Sequence, residues 1–289
     1  MSQPTLGFAG LGRMGGPLSR RLVEAGYDLF GFDAAGTAER LPAGAAASDS
    51  IEDLARKTDG MLLSVPDGAV SWAISREIAE MDDRRVSAVI DLSTIGIEAA
   101  RACAATLAAA GVTYVDAPVS GGVAGAASGS LSMMVGAMAE VFDEIEPILA
   151  VLARNRIRIG DEPGQGQAMK LLNNYVSAAA LAATCEAAVF GERLGLDLRK
   201  VVEVLNVSSG RSAASQDKFP RSIIPRSYDF GFAGALMTKD VSLYLENASA
   251  AGVPHELASA VTGLWQRFNA AHPNADFTYL HKYLEDDEA

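Results

Sequence analysis

Near its start the chain contains the glycine-rich sequence Gly7-Phe8-Ala9-Gly10-Leu11-Gly12-Arg13-Met14-Gly15. This stretch joins a short apolar run typical of a strand to an amphipathic pattern typical of a helix. In such a turn Gly10 allows the tight bend, Gly12 lets the backbone approach a pyrophosphate, and Gly15 lets the helix pack closely on the strand. The amide groups at the helix N-terminus then face the phosphates. The stretch therefore predicts a dinucleotide-binding site.

A carboxylate at the end of the next strand pattern supports this prediction. Asp33 follows Gly15 by 18 residues, where a carboxylate would hydrogen-bond the ribose hydroxyls of the adenosine. The same charge repels a 2′-phosphate, and Ala34-Ala35-Gly36 offers no cation to receive one, Arg40 being the first. The sequence therefore predicts NAD as the cofactor, with NADP the less favoured.

The alternation of β-rich runs and amphipathic stretches continues to about residue 160, as a parallel sheet covered by helices requires. The strand patterns are Thr5–Ala9, Tyr27–Phe32, Gly60–Val65, Ala88–Leu92, Thr113–Val115, Leu131–Val135 and Arg156–Ile159. The helical patterns are Met14–Ala25, Ala69–Glu80, Ile97–Ala110 and Ala139–Ala153. We therefore predict an α/β fold whose first domain is a doubly wound sheet of Rossmann type.

A breaker-rich link, Asp161-Glu162-Pro163-Gly164-Gln165-Gly166, ends this alternation. Beyond it the period is helical almost throughout, and an Ala-rich pattern from Gln167 to about Leu194 predicts one long interdomain helix. We predict an NAD-binding domain over residues 1–162 and an all-helical substrate and dimerisation domain over residues 163–289.

Composition and charge exclude several classes of partner. The chain has 289 residues and a formal net charge of −12, so it lacks the basic character that nucleic acid and anionic membranes attract. With 49% hydrophobic residues it is too apolar for disorder. No apolar run reaches the roughly 18 residues of a membrane span. A secretory signal pattern is also absent, so the cytoplasm is the expected location.

Histidine and cysteine do not predict a metal site. His255, His272 and His281 lie far from the other motifs, and no pair has the spacing of metal ligands, so we interpret them as structural or surface residues. Cys103 and Cys185 form no CxxC pattern and are expected to be buried thiols rather than a disulfide.

Three further motifs carry possible chemistry. In Asp116-Ala117-Pro118-Val119-Ser120-Gly121-Gly122, the glycine amides and the Ser120 hydroxyl could meet a carboxylate, although a plain turn explains the stretch equally well. Lys170 and Asn174 share one face of the long predicted helix, and the apolar flanks argue against an ordinary surface lysine. The pair Lys239-Asp240, taken alone, is typical of a solvated helix start.

In this order and spacing the four motifs resemble the 3-hydroxyisobutyrate dehydrogenase family of β-hydroxyacid dehydrogenases, over nearly the whole chain. The resemblance implies that Lys170 is the catalytic lysine and that Asn174 holds the substrate beside it. It also implies that Ser120, Gly121 and Gly122 bind the substrate carboxylate.

The resemblance further assigns Lys239 to the cofactor, and it makes Asp240 a supporting residue of the substrate site. Val65 and Pro66 would face the adenosine end of the cofactor, and Thr94 the nicotinamide ribose. Val65 departs slightly from the leucine that is usual in the family.

These implications agree with the chemistry that alcohol oxidation needs. A hydride leaves for the nicotinamide while a nearby group takes the hydroxyl proton, and Lys170 could do this. Burial and the like charge of Lys239 would both lower the pKa of Lys170 from its ordinary value of about 10.4. Arg211, on a Gly/Ser loop, could bind a second anionic group of the substrate or simply stabilise the loop.

The sequence thus predicts an NAD-dependent enzyme that interconverts a small 3-hydroxy acid and its semialdehyde or 3-oxo acid. A tartronate semialdehyde (2-hydroxy-3-oxopropionate) or succinic semialdehyde reductase remains an alternative, as does an imine reductase, although those relatives usually lack the lysine. A binding module without activity is disfavoured by the presence of Lys170. The Ala-rich helix allows close packing between subunits, and we expect a homodimer or homotetramer.

Overall fold

A computed structural model describes residues 3–286, and the chain divides by packing into two compact units, Met1–Lys170 and Leu171–Ala289. The strands of the first unit are β1 (Leu6–Ala9), β2 (Leu29–Phe32), β3 (Ala46–Ala47), β4 (Gly60–Leu63), β5 (Ala88–Asp91), β6 (Thr113–Asp116), β7 (Val119–Ser120), β8 (Leu131–Gly136) and β9 (Ala153–Gly160). Its helices are α1 (Gly15–Glu24), α2 (Ile51–Lys57), α3 (Gly68–Ala79), α4 (Ile97–Ala109), α5 (Gly122–Ser128) and α6 (Ala139–Leu152).

The strands form one sheet in the order β3-β2-β1-β4-β5-β6-β8-β7, with β9 added beside β8. The pairs from β3 to β6 are parallel, but β8 runs antiparallel to both β6 and β7. The parallel pairing that the alternation predicts therefore extends from β3 to β6 but not to this edge of the sheet. β8 follows β7 through the short helix α5 and returns beside it as an antiparallel neighbour, because so short a connection does not make the crossover that a parallel neighbour needs.

Both faces of the sheet are buried under helices, as the predicted doubly wound fold requires. Leu62 and Ile90 point to a core shared with α1 and α6, whereas Met61, Leu63 and Val89 point to a core shared with α2, α3 and α4. This alternation follows from the two-residue period of a strand. Each fully buried Leu or Ile side chain contributes roughly 1.5–3 kcal/mol. The predicted fold class is confirmed.

The chain order of the strands reverses between β1 and β4, since β2 lies on one side of β1 and β4 on the other. In open α/β sheets ligands bind outside the carboxyl ends of the strands at such a reversal. The glycine stretch leaves β1 at this edge, and Val65 and Pro66 follow the end of β4. The topology thus brings two of the predicted cofactor segments to one crevice.

The second unit is helical over the residues that the structure describes. Its elements are the greater part of α7 (Gln165–Arg193), α8 (Leu198–Val207), a π-helical segment (Ala214–Ile223), α9 (Gly234–Ala250), α10 (Glu256–Ala271), a 3-10 turn (Phe277–Tyr279) and α11 (Leu280–Glu285). Trp265, Phe268 and Tyr283 are buried at its core. The domain boundary at 162/163 stays a prediction. None of the helices within residues 3–286 has both the length and the apolar character that crossing a membrane demands.

Candidate active site

The glycine stretch between β1 and α1 needs its glycines for two different reasons. A Cβ on Gly10, whose φ is +89°, would lie 2.2 Å from the Ser64 carbonyl oxygen, and one on Gly15 would lie 1.8 Å from the Gly10 oxygen. Packing therefore requires both residues to be glycine. Gly12 is different, because its Cβ would meet nothing within 4 Å and its backbone is outside the left-handed region. The open space at Gly12 fits the close approach of a pyrophosphate.

This difference predicts opposite effects for the same substitution. Gly12→Ala is expected to leave the melting temperature nearly unchanged but to weaken NAD binding about tenfold or more, a loss of about 1.4 kcal/mol. Gly15→Ala should instead destabilise the fold by roughly 1–3 kcal/mol, because the new methyl group overpacks the turn. Thermal unfolding and NAD titration of both variants test this. A Gly12→Ala variant that binds NAD as tightly as the parent would contradict the assignment.

Asp33, just beyond β2, is joined directly to the glycine stretch. Its Oδ2 accepts a hydrogen bond from the Leu11 amide at 2.7 Å, and its Oδ1 accepts one from the Ala35 amide at 2.8 Å. The Arg40 guanidinium lies 3.3 Å from Oδ1. Arg40 is the first cation after Asp33 in the sequence. The structure places it beside the carboxylate that we predict to bind the ribose. Of the remaining residues in the glycine stretch, Arg13 is exposed and Met14 half-buried.

The predicted cofactor residues after β4 and β5 are neighbours. The Val65 amide donates a hydrogen bond to the Ser93 hydroxyl at 2.8 Å, and the Ser93 amide donates to Asp91 Oδ1 at 2.9 Å. Pro66 is exposed and Thr94 half-buried. Together with the glycine stretch after β1, these residues line the carboxyl ends of three adjacent strands.

Ser120, Gly121 and Gly122 form a turn at the sheet edge formed by β7. The φ angles of Gly121 and Gly122 are +131° and +66°, which residues other than glycine rarely adopt. Both glycines are exposed and Ser120 is partly exposed, so the turn offers a hydroxyl and backbone amides to a ligand. Backbone amides exposed in a turn can bind a carboxylate.

A buried carboxyl group lies where α7 begins. Asp116, the last residue of β6, accepts hydrogen bonds from the Gly164 amide at 3.0 Å and from the Gln167 amide at 2.8 Å. Burial raises the pKa of Asp116 to about 7, and the charge of Asp91, its partner on β5, acts in the same direction. Gly166 makes room, because a Cβ there would lie 2.8 Å from the Asp116 carboxylate.

Lys170 and Asn174 lie four residues apart on α7, and both side chains are buried. In the second unit the Asn174 amide donates a hydrogen bond to Asp240 Oδ2 at 2.5 Å, and the Lys239 ammonium lies 3.4 Å from Asp240 Oδ1. The Lys239-Asp240 pair lies inside α9, with Asp240 buried. The structure thus brings Asn174, Lys239 and Asp240 together.

The other residues considered in the sequence lie outside these groups. Arg211 is exposed, and Cys103 and Cys185 are buried free thiols. His281 is buried beside Glu192, with its Nε2 3.0 Å from the carboxylate. Among the described residues no three His, Cys, Asp or Glu side chains cluster as metal ligands would.

Sequence reasoning missed Gln167 and the structural part that Asp116 plays. The Gln167 side chain is buried and bonds the loop after β5: its Oε1 accepts from the Ile95 amide at 2.9 Å, and its Nε2 donates to the Ser93 carbonyl at 2.9 Å. A polar residue in the apolar-flanked first turn of a helix was a signal available in the sequence. The partners of this side chain lie 72 and 74 residues earlier, and no signal in the sequence identifies them.

Two family models together match the chain from residue 5 to residue 284, except for residues 161–163. Residues 5–160 match the model of the NAD binding domain of 6-phosphogluconate dehydrogenase, and residues 164–284 match the model described as NAD-binding of NADP-dependent 3-hydroxyisobutyrate dehydrogenase. The chain is 34% identical to 2-(hydroxymethyl)glutarate dehydrogenase of Eubacterium barkeri over 265 residues, which cover 90% of this chain and 88% of that protein.

Solved structures agree with these matches. The 3-hydroxyisobutyrate dehydrogenase of Mycobacterium tuberculosis, solved with L-serine, superposes with a TM-score of 0.90 at 32% identity, covering 98% of this chain and 99% of that one. An imine reductase from Pseudomonas sp., with a TM-score of 0.64, 19% identity and coverage of 98% of this chain and 100% of that one, shares the fold alone. The chain belongs to the 3-hydroxyisobutyrate dehydrogenase family. The prediction of an NAD-dependent hydroxy-acid dehydrogenase is confirmed at that level.

Proposed function

We propose that the protein oxidises the hydroxyl group of a small 3-hydroxy acid, and reduces the corresponding semialdehyde or 3-oxo acid, with Lys170 as the general acid and base. The observation that carries this proposal is the burial of Lys170 on α7, whose first turn is bonded to residues at the ends of β5 and β6 in the dinucleotide-binding unit. Burial excludes water from the proton transfer and fixes the amine for it.

In the oxidation the Lys170 amine takes the proton of the substrate hydroxyl, and the C–H hydride leaves in the same reaction. NAD, when bound, would supply the acceptor for that hydride, and NADH would supply the donor for the reverse direction. The Ser120 hydroxyl and the amides of Gly121 and Gly122 would hold the substrate carboxylate, which orients the hydroxyl toward the amine. Asn174 and Asp240, hydrogen-bonded to each other, would support the substrate.

The residues proposed to hold the cofactor are those of the crevice at the ends of β1, β4 and β5, with Lys239 added from the second unit. They are Gly10, Leu11, Gly12, Arg13, Met14, Gly15, Asp33, Val65, Pro66, Thr94 and Lys239. The open space at Gly12 supports this assignment most directly. The carboxylate of Asp33 favours NAD over NADP, because it would repel a 2′-phosphate.

A substrate panel tests the function. We expect NADH formation with at least one of 3-hydroxyisobutyrate, L-serine, 3-hydroxypropionate and 2-(hydroxymethyl)glutarate, and NADH consumption with tartronate or succinic semialdehyde if the enzyme is a reductase of that type. The same panel with NADPH and with a cyclic imine separates the alternatives. Reduction of the imine with no turnover of any hydroxy acid would overturn the proposal.

We also propose a domain division, a cellular location and an oligomeric state for the protein. Residues 1–162 and 163–289 would form the two domains, and the protein would act in the cytoplasm. It would form a homodimer or homotetramer, since the apolar side chains of Val176, Phe190 and Leu194 on and beside α7 are exposed in the single chain. A monomer mass by light scattering would count against the oligomer.

A further inference from the structure

The side chain of Gln167 forms hydrogen bonds with backbone groups on both sides of Thr94 in the chain. Its Oε1 accepts hydrogen bonds from the Ile95 amide at 2.9 Å and the Gly96 amide at 3.2 Å. Its Nε2 donates a hydrogen bond to the Ser93 carbonyl at 2.9 Å. The three bonded backbone groups therefore enclose Thr94 in the chain, and the whole glutamine is buried.

This set of partners selects the carboxamide chemically. Two amides demand an acceptor and one carbonyl demands a donor, and a glutamine side chain presents one of each from a single planar group. A carboxylate in its place would turn an oxygen toward the Ser93 carbonyl oxygen, while an asparagine is one methylene too short to reach the same partners. An apolar side chain of equal length would leave three buried backbone groups unpaired.

The backbone of Gln167 is fixed as firmly as its side chain. Its amide donates to Asp116 Oδ2 at 2.8 Å, at the end of β6. The preceding residue, Gly166, approaches the sheet so closely that a Cβ there would lie 2.4 Å from the Met134 carbonyl oxygen. The first turn of α7 is thus joined to the loop after β5 by a side chain and to the end of β6 by the backbone. Lys170 follows Gln167 by three residues, about one turn along a rigid helix.

We propose that Gln167 is a positioning residue, whose carboxamide fixes the loop carrying Thr94 to the turn of α7 carrying Lys170. The inference rests on the proposed function, in which Lys170 accepts the substrate proton and Thr94 lies at the nicotinamide end of the cofactor. The hydride and the proton both leave the C–OH group of the substrate. The nicotinamide and the Lys170 amine, which would accept them, must therefore keep a constant separation. A misplacement of about 1 Å can cost roughly 100-fold in rate.

Gln167→Glu tests the proposal, because the substitution changes one NH2 group to an oxygen. At pH 8 we expect kcat to fall about 10- to 100-fold, with the KM for NAD changed less than threefold. As the pH is lowered, the ratio of variant to parent kcat should rise toward one. A protonated carboxyl group again donates to the Ser93 carbonyl, and the facing charges of Asp116 and Asp91 favour protonation whereas that of Lys170 opposes it.

A second readout needs neither substrate nor cofactor. In the cofactor-free protein, hydrogen exchange at the Ile95 and Gly96 amides should be faster in Gln167→Asn than in the parent at every pH, because the shorter side chain no longer reaches them. The same variant should lose kcat without recovering it at low pH. It carries no new charge and therefore separates the length of the side chain from its protonation.

Gln165→Glu is the matched control, with the same chemical change two residues earlier in α7. The Gln165 Oε1 accepts a hydrogen bond from the Glu162 amide at 3.0 Å, and a carboxylate can still accept it. This variant should keep the parent kcat at every pH. Folded Gln167 variants with the parent kcat, or a Gln167→Glu loss that does not depend on pH, would overturn the inference alone. A parent without activity on any hydroxy acid would overturn the proposed function, and the inference with it.

Discussion

Replacing Lys170 by methionine is expected to lower kcat for hydroxy-acid oxidation by about 10²- to 10⁴-fold, the usual contribution of a positioned acid or base. Methionine keeps the length and apolar body of the side chain, so the buried position remains filled, but no group is left to take the hydroxyl proton. Because the glycine stretch and Asp33 are untouched, NAD should bind as in the parent. Steady-state kinetics together with NAD titration measure the two effects separately.

Lys218 offers a matched control, because it is the other lysine that is buried among the described residues. It lies in the π-helical segment, with its ammonium 5.8 Å from the ring centres of Phe230 and Phe277. Lys218→Met makes the same chemical change and is expected to keep the parent kcat. Near-full kcat in Lys170→Met, with the cofactor still bound, would remove Lys170 from the mechanism.

Asp33→Asn is expected to shift the preference between the cofactors, raising the kcat/KM ratio of NADP to NAD about 100-fold. Two effects add, because the charge that repels a 2′-phosphate is removed and the ribose of NAD loses a charged acceptor. Each is worth at least a factor of ten, or about 1.4 kcal/mol. Kinetics with both cofactors measure the ratio directly.

A second variant at Arg40 tests the same prediction further, because the Arg40 guanidinium lies 3.3 Å from the Asp33 carboxylate. Once that carboxylate is neutral, the guanidinium is released to meet a 2′-phosphate, for which its geometry is well suited. Adding Arg40→Gln to Asp33→Asn should therefore cancel part of the gain with NADP and leave NAD unaffected. If Asp33→Asn alone leaves the cofactor preference unchanged, Asp33 does not bind the ribose.

Much of the fold could be predicted from the sequence because its signals are local. The strand patterns of the first unit, from Thr5–Ala9 to Arg156–Ile159, all correspond to strands. The long helix begins at Gln165, close to the predicted Gln167. Local periodicity does not report pairing between distant strands, so the reversed direction of β8 was missed. The π-helical form of Ala214–Ile223 was not predictable either, because Pro220 interrupts the helical pattern there.

The candidate site likewise has parts that could be predicted from the sequence and parts that could not. The glycine stretch and the Ser120 turn require backbone shapes that only certain residues adopt, and such requirements are visible in sequence. The bonds of Gln167 to residues 93–96 depend on a long-range fit that no spacing reveals. The ion pair of Asp33 and Arg40 was equally hidden, although the sequence had singled out both residues, because a loop conformation decides it.

The open space at Gly12 also links the cofactor to the amount of folded protein. A ligand that binds the folded chain and not the unfolded one adds RT ln(1 + [L]/Kd) to stability, about 2.7 kcal/mol when its concentration is 100 times Kd. Natural domains are stable by only about 5–15 kcal/mol. Cells short of NAD would therefore hold more of this chain unfolded and exposed to proteolysis, so the abundance of the enzyme would follow the supply of its coenzyme.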